Sequence, residues 1–118
     1  MERIRFITHG GKQIVEVDMA RCSAAEVEKV ARALPDLVTK EPLGSVRMLV
    51  DFTGATFDKE ALRTMRETAI FDKPYILKTA WIGTESLPQG EIEDVSKYSR
   101  REFPLFSKRD AALDWLAE

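Results

Sequence analysis

Only one cysteine, Cys22, and one histidine, His9, occur in the chain, and that scarcity removes whole classes of chemistry. A lone cysteine forms no internal disulfide, which agrees with a reducing, cytoplasmic setting. Zinc sites draw on Cys and His clustered at ligand spacing, so no metal is expected. A Ser-His-Asp arrangement has only His9 to use, and His9 sits beside Gly10-Gly11, where an exposed polar turn residue is ordinary. Cys22 follows Arg21 just before a helix start, a setting that lowers a thiol pKa, yet no base accompanies it. Phosphate-binding Gly-Lys-Ser/Thr loops and dinucleotide glycine patterns are also missing, so no cofactor is expected. Neither sign of charge dominates: 18 basic against 20 acidic residues leave a formal net charge of -2, with no electrostatic footprint for nucleic acid. No apolar run is long enough to span a bilayer. The first residues, with Glu2, Arg3 and Arg5, lack the apolar segment of a secretory signal. No catalytic residues emerge, and the expectation is a protein that is not an enzyme.

What remains is a chain of 118 residues, 44% hydrophobic and 32% charged, enough for one compact core and too short for two ordinary domains. Residues 1–118 are read as a single domain. "RIRFITHGGKQIVEVD" alternates apolar and polar residues on both sides of Gly10-Gly11, which predicts a hairpin of Arg3–Thr8 and Lys12–Asp18. Ser23 three residues before Glu26 forms a capping box. Val27, Val30, Leu34, Leu37 and Val38 then make an apolar helical stripe, with a kink or break expected at Pro35. "SVRMLVDF" reads as a central strand, and a second helix runs from Asp58 to about Phe71 with Leu62, Met65, Ala69 and Ile70 inward. "KTAWIG" is another strand. A loop with Pro88 and Gly90 precedes a helix near Glu91–Tyr98, and "EFPLF" is a brief edge strand. A last helix is capped by a Ser107-Asp110 pair, with Ala112, Leu113, Trp115 and Leu116 inward. The order implies a mixed β-sheet of about five strands, opened by the hairpin and covered by about four helices, an α/β fold.

The run "MLVDFTGATFD", a helix, "KPYILKTAWIG" and the closing "AALDWL" resemble the SpoIIAA-like (STAS/SEC14) branch of the STAS superfamily over nearly the whole chain. The resemblance implies a small, non-enzymatic regulatory domain, the best-known relatives being anti-sigma-factor antagonists. In those relatives the strand-to-helix junction reads Asp-Ser-Ser-Gly, and a serine at the helix start is phosphorylated. This chain has Asp58-Lys59-Glu60-Ala61 there. Only the Asp is kept, so the serine switch is not expected.

The junction still gathers the candidate binding residues Asp51, Thr53, Gly54, Thr56, Asp58 and Lys59. Free N–H groups at a helix start attract anions, although Asp58 is able to satisfy them as an N-cap. Asp51, at a strand's carboxyl end, either lines a pocket or bonds loop amides. Phe71, Tyr75, Trp81, Phe103, Phe106 and Trp115, with Met65 and Ile70, either build the core or line an apolar cavity. Tyr75, beside Pro74 and between two lysines, is placed at a surface or interface. Two functions follow: a module that binds a protein partner or a second copy of itself through the Asp58 helix, and a carrier or sensor of a small apolar or anionic ligand.

Overall fold

The computed structural model describes residues 2–118. Strands β1 (Ile4–His9) and β2 (Lys12–Asp18) form the hairpin, followed by α1 (Ala24–Val38), β3 (Val46–Asp51), α2 (Lys59–Asp72), β4 (Ile76–Ile82), α3 (Glu91–Ser99), β5 (Leu105–Phe106) and α4 (Arg109–Ala117). Gly10 and Gly11 both take positive φ, 58° and 77°, which lets a two-residue turn join antiparallel strands without splaying them. The strands lie in chain order, β1-β2-β3-β4-β5, and all pairs after the hairpin are parallel. Parallel crossovers share one hand, so consecutive strands place their connecting helices on one face. Val27 of α1, Met65 of α2 and Val95 of α3 accordingly share one core with Val17, Met48, Val50 and Trp81 of the sheet. Helix α4 covers the other face, where Leu113 and Leu116 pack on Ile14, Leu49, Ala80 and Ile82.

Alternation along the strands feeds both layers. In β3, Val46, Met48 and Val50 face α1 and α2, while Leu49 faces α4. Arg47, on the α4 side, donates to the carbonyls of Leu116 and Glu118, and Lys78 Nζ donates to Trp115 O at 2.9 Å. Two cations thus meet the negative end of the α4 dipole. Glu16, buried in β2, accepts from Arg5 at 3.0 Å and from Arg109 at 2.8 Å, which ties the first turn of α4 to the sheet.

The structure bears out one local expectation, the capping box, and corrects several others. Strand β1 begins at Ile4 rather than Arg3 and runs on to His9. Of the kink or break expected at Pro35 the break does not occur, since α1 runs on to Val38; Ala31 O, the carbonyl that Pro35 leaves without its helical donor, accepts from the Thr68 hydroxyl of α2 at 3.3 Å. The capping box at Ser23 is formed in both directions, and these bonds hold the Glu26 carboxyl below its ordinary pKa. Ile70 is exposed, not inward: the buried face of α2 is Ala61, Thr64, Met65, Thr68, Ala69 and Asp72. The last helix is not capped by Ser107; its N-cap is Lys108, with no side-chain bond. Trp115 is half-buried.

Candidate functional site

Pairing in register brings Asp18, Asp51 and Ile82 side by side at the carboxyl ends of β2, β3 and β4. Two depressions open there, sharing Asp18, Ala20 and Asp51. One, of about 180 Å³, reaches Arg5, Glu16 and Arg109 on the α4 side. The other, of about 680 Å³, is bounded by Glu2, Arg3, Arg21 and Thr53. Arg3 donates to the carbonyls of Asp18 and Ala20 at 3.3 and 2.9 Å, while Arg21, at φ 60°, donates through its backbone to Thr53 O at 2.8 Å.

Asp51 accepts from its own loop, from the Thr53 amide at 2.9 Å and the Thr53 hydroxyl at 2.6 Å. This is an Asx turn. Gly54, at φ 66°, lies against Arg21, and the Thr56 amide donates to Cys22 O at 2.9 Å. Asp58 caps α2 by accepting from Ala61 N at 2.8 Å, so it answers a helix-start amide itself. Lys59 opens the helix and is exposed. The candidate residues form one continuous stretch. Only Asp51 and Thr53 line the strand-end depressions.

His9 bonds Asp114 through Nε2 at 2.8 Å, a link between the hairpin and α4. Cys22 is buried, and that burial pushes its pKa up rather than down, which makes it a structural thiol. Among the described residues no three His, Cys, Asp or Glu side chains group to hold a metal ion.

Beneath α2 lies a cavity of about 60 Å³ between sheet and helices. Of the aromatic set, only Trp81 and Phe103 line it, stacked at 4.2 Å between centroids, with Met65 beside them. Phe71 and Ile70 point to solvent, Tyr75 is half-buried against the core rather than free at the surface, and Phe106 pairs with Trp115 on the α4 face. The cavity also holds Asp72, which is 2% exposed and whose Oδ1 has no hydrogen-bond partner among the described residues. Burial raises its pKa to about 7, against the lowering pull of Arg101. Arg101 lines the same cavity, donates to Ala69 O at 3.0 Å and to Thr79 Oγ1 at 2.7 Å, and is itself lowered to about 10 by burial. The sequence reading missed this pair. Asp72 carried a signal all the same: it falls on the buried stripe of α2, at helical spacing from Met65 and Ala69.

A crystal structure from Shewanella loihica PV-4, of an uncharacterized protein of the DUF3478 family with a SpoIIAA-like fold, superposes on this chain with a TM-score of 0.73. The match covers 96% of this chain and 91% of that one, at 16% sequence identity. The fold is SpoIIAA-like. Neither a protein-family model nor a curated protein matches the chain. The SpoIIAA-like architecture accounts for the hairpin, the parallel run and the junction ahead of α2, and at this identity the likeness is one of fold alone.

Proposed function

We propose that the protein is a non-enzymatic, STAS-like regulatory domain that binds a protein partner, or a second copy of itself, through α2 and the loop before it. The supporting observation is the outward surface of α2. Its inner face is used by the core, while Ile70 and Phe71 at its carboxyl end are 43% and 59% exposed. Adjacent large apolar side chains held in water on a helix favour association. Asp58 stands where the relatives' junction is kept, Lys59 and Glu60 replace the serines, and the helix is engaged without phosphorylation. The lone Cys22, buried and reduced, suits a cytoplasmic setting.

A native mass spectrum of the protein gently recovered from its own cells tests this reading. A homodimer or second polypeptide without ligand mass is expected, and it is lost in Phe71→Glu or in the double variant Thr56→Glu, Asp58→Arg. A complex that survives both variants sinks the α2 surface as the binding face.

A second reading, a small-ligand sensor, is favoured by one observation, a buried acid with an unpartnered oxygen, Asp72, in the lining of the cavity. Since α2 roofs that cavity and presents Ile70 and Phe71 outward, a ligand below it and a partner above it would share one helix.

A further inference from the structure

The cavity beneath α2 is small, mostly apolar in its wall, and lined by one acid and one base. Its volume, about 60 Å³, is less than half of the roughly 150 Å³ that admits benzene. Most of the wall is hydrocarbon, sulfur and aromatic ring, from Met19, Leu34, Met65 and Phe103 among others. Asp72 and Arg101 complete this wall. A buried acceptor left unpaired costs roughly 1 to 3 kcal/mol, more if charged, so folds retain such groups where something donates to them.

Arg101 is already committed to Ala69 O and Thr79 Oγ1, and no ion pair joins it to Asp72 within 4.0 Å among the described residues. Its charge nonetheless balances that of the carboxylate at longer range. An ammonium ligand would add a positive charge, and a carboxylate ligand a negative one, to an apolar interior where unbalanced charge is strongly disfavoured. A neutral donor adds neither. Thr79 and Arg101 also border an open groove outside the cavity, with Lys73 and Glu102, so the Arg101 side chain stands between cavity and solvent.

We infer that this cavity is a binding site for a small neutral molecule, about the size of a short-chain alcohol. The ligand donates its O–H to the Asp72 carboxylate and lays its hydrocarbon against Met19, Met65 and Phe103. The inference rests on the small-ligand reading and specifies its chemistry.

The test uses the full chain with methyl-labelled methionine at about pH 8, above the value of about 7 at which Asp72 ionises, titrated with n-propanol, propylammonium chloride and sodium propionate, the methyl spectrum being followed by NMR. The expected result is a saturable shift of the Met19 and Met65 methyls with n-propanol, half-saturating at least about tenfold below either ion. Asp72→Asn, which keeps the volume and loses the charged acceptor, is expected to weaken n-propanol by about fivefold. Ala69→Leu, which fills the cavity, abolishes the shift, with circular dichroism checking that each variant folds. Should Ala69→Leu fail to fold, Asp72→Asn alone decides. If an ion saturates the same methyls as well as the alcohol does, or Asp72→Asn binds n-propanol unchanged, the inferred chemistry is overturned and a ligand cavity survives. If none of the three probes saturates in the folded wild type, the cavity holds solvent only, and the small-ligand reading falls with the inference.

Discussion

The hydroxyl of Thr68 donates to the backbone carbonyl of Ala31 across 3.3 Å, from α2 to α1. In an uninterrupted helix that carbonyl would accept from residue 35, which here is proline and has no N–H. Thr68→Val is therefore expected to lower stability by about 1 to 2 kcal/mol, since it strands a buried acceptor, while Thr68→Ser is nearly neutral. Restoring the helical donor with Pro35→Ala should shrink the Thr68→Val effect. Denaturant unfolding of the four-member cycle measures the coupling, and purely additive effects would falsify the account.

Gly83 takes a φ of 66°, and a Cβ built there would lie 2.5 Å from the Thr53 nitrogen. Both the left-handed backbone and the loop after β3 demand glycine at that point. Gly83→Ala is expected to cost on the order of 3 kcal/mol, whereas Gly11→Ala, at φ 77° with open space around it, costs about 1 kcal/mol from backbone strain alone. Thermal unfolding of the two variants side by side distinguishes strain from collision, and equal losses would remove the collision.

Burial holds Asp72 at about 7 against an ordinary 3.8. Between those values the folded protein keeps a proton that the unfolded chain has released, so this group's contribution to stability falls as pH rises through that window and is lowest above about 7. Arg101 is the charged group that faces it and limits the effect. Relative to the wild type, Asp72→Asn is expected to gain stability towards neutral pH, by on the order of a few kcal/mol. Unfolding free energies from pH 4 to pH 8, a range of about the width of that window, check the sign. A difference between the two proteins that stays flat with pH contradicts the buried acid.

Glu16 joins Arg5 and Arg109 through charge-assisted bonds at 3.0 and 2.8 Å. Glu16→Gln should cost about 2 kcal/mol and loosen α4 selectively. Amide exchange reads this directly: α4 should open faster while α1 keeps its protection. Uniform acceleration across both helices would mean that Glu16 supports the whole core rather than the docking of α4.

Local rules made much of this protein legible from its residues. Gly10-Gly11 specify the hairpin turn through positive φ, the Ser23-Glu26 pair specifies the start of α1, and Asp58 specifies the start of α2, because each device acts within a few residues of chain. Strand and helix order followed from apolar periodicity, and the mixed sheet followed from the need for helical crossovers. Neighbours distant in sequence were decided by the tertiary structure alone. Thr68 rescues the carbonyl below Pro35 only because α2 packs on α1. Ile70 turns outward because the buried face of α2 is set by where that helix lies on the sheet, and Ser107 yields to Lys108 because α4 starts where Arg109 reaches Glu16. Asp72 and Arg101 share a cavity for the same reason: burial and electrostatic environment are properties of the packed assembly, and no spacing along the chain encodes them directly.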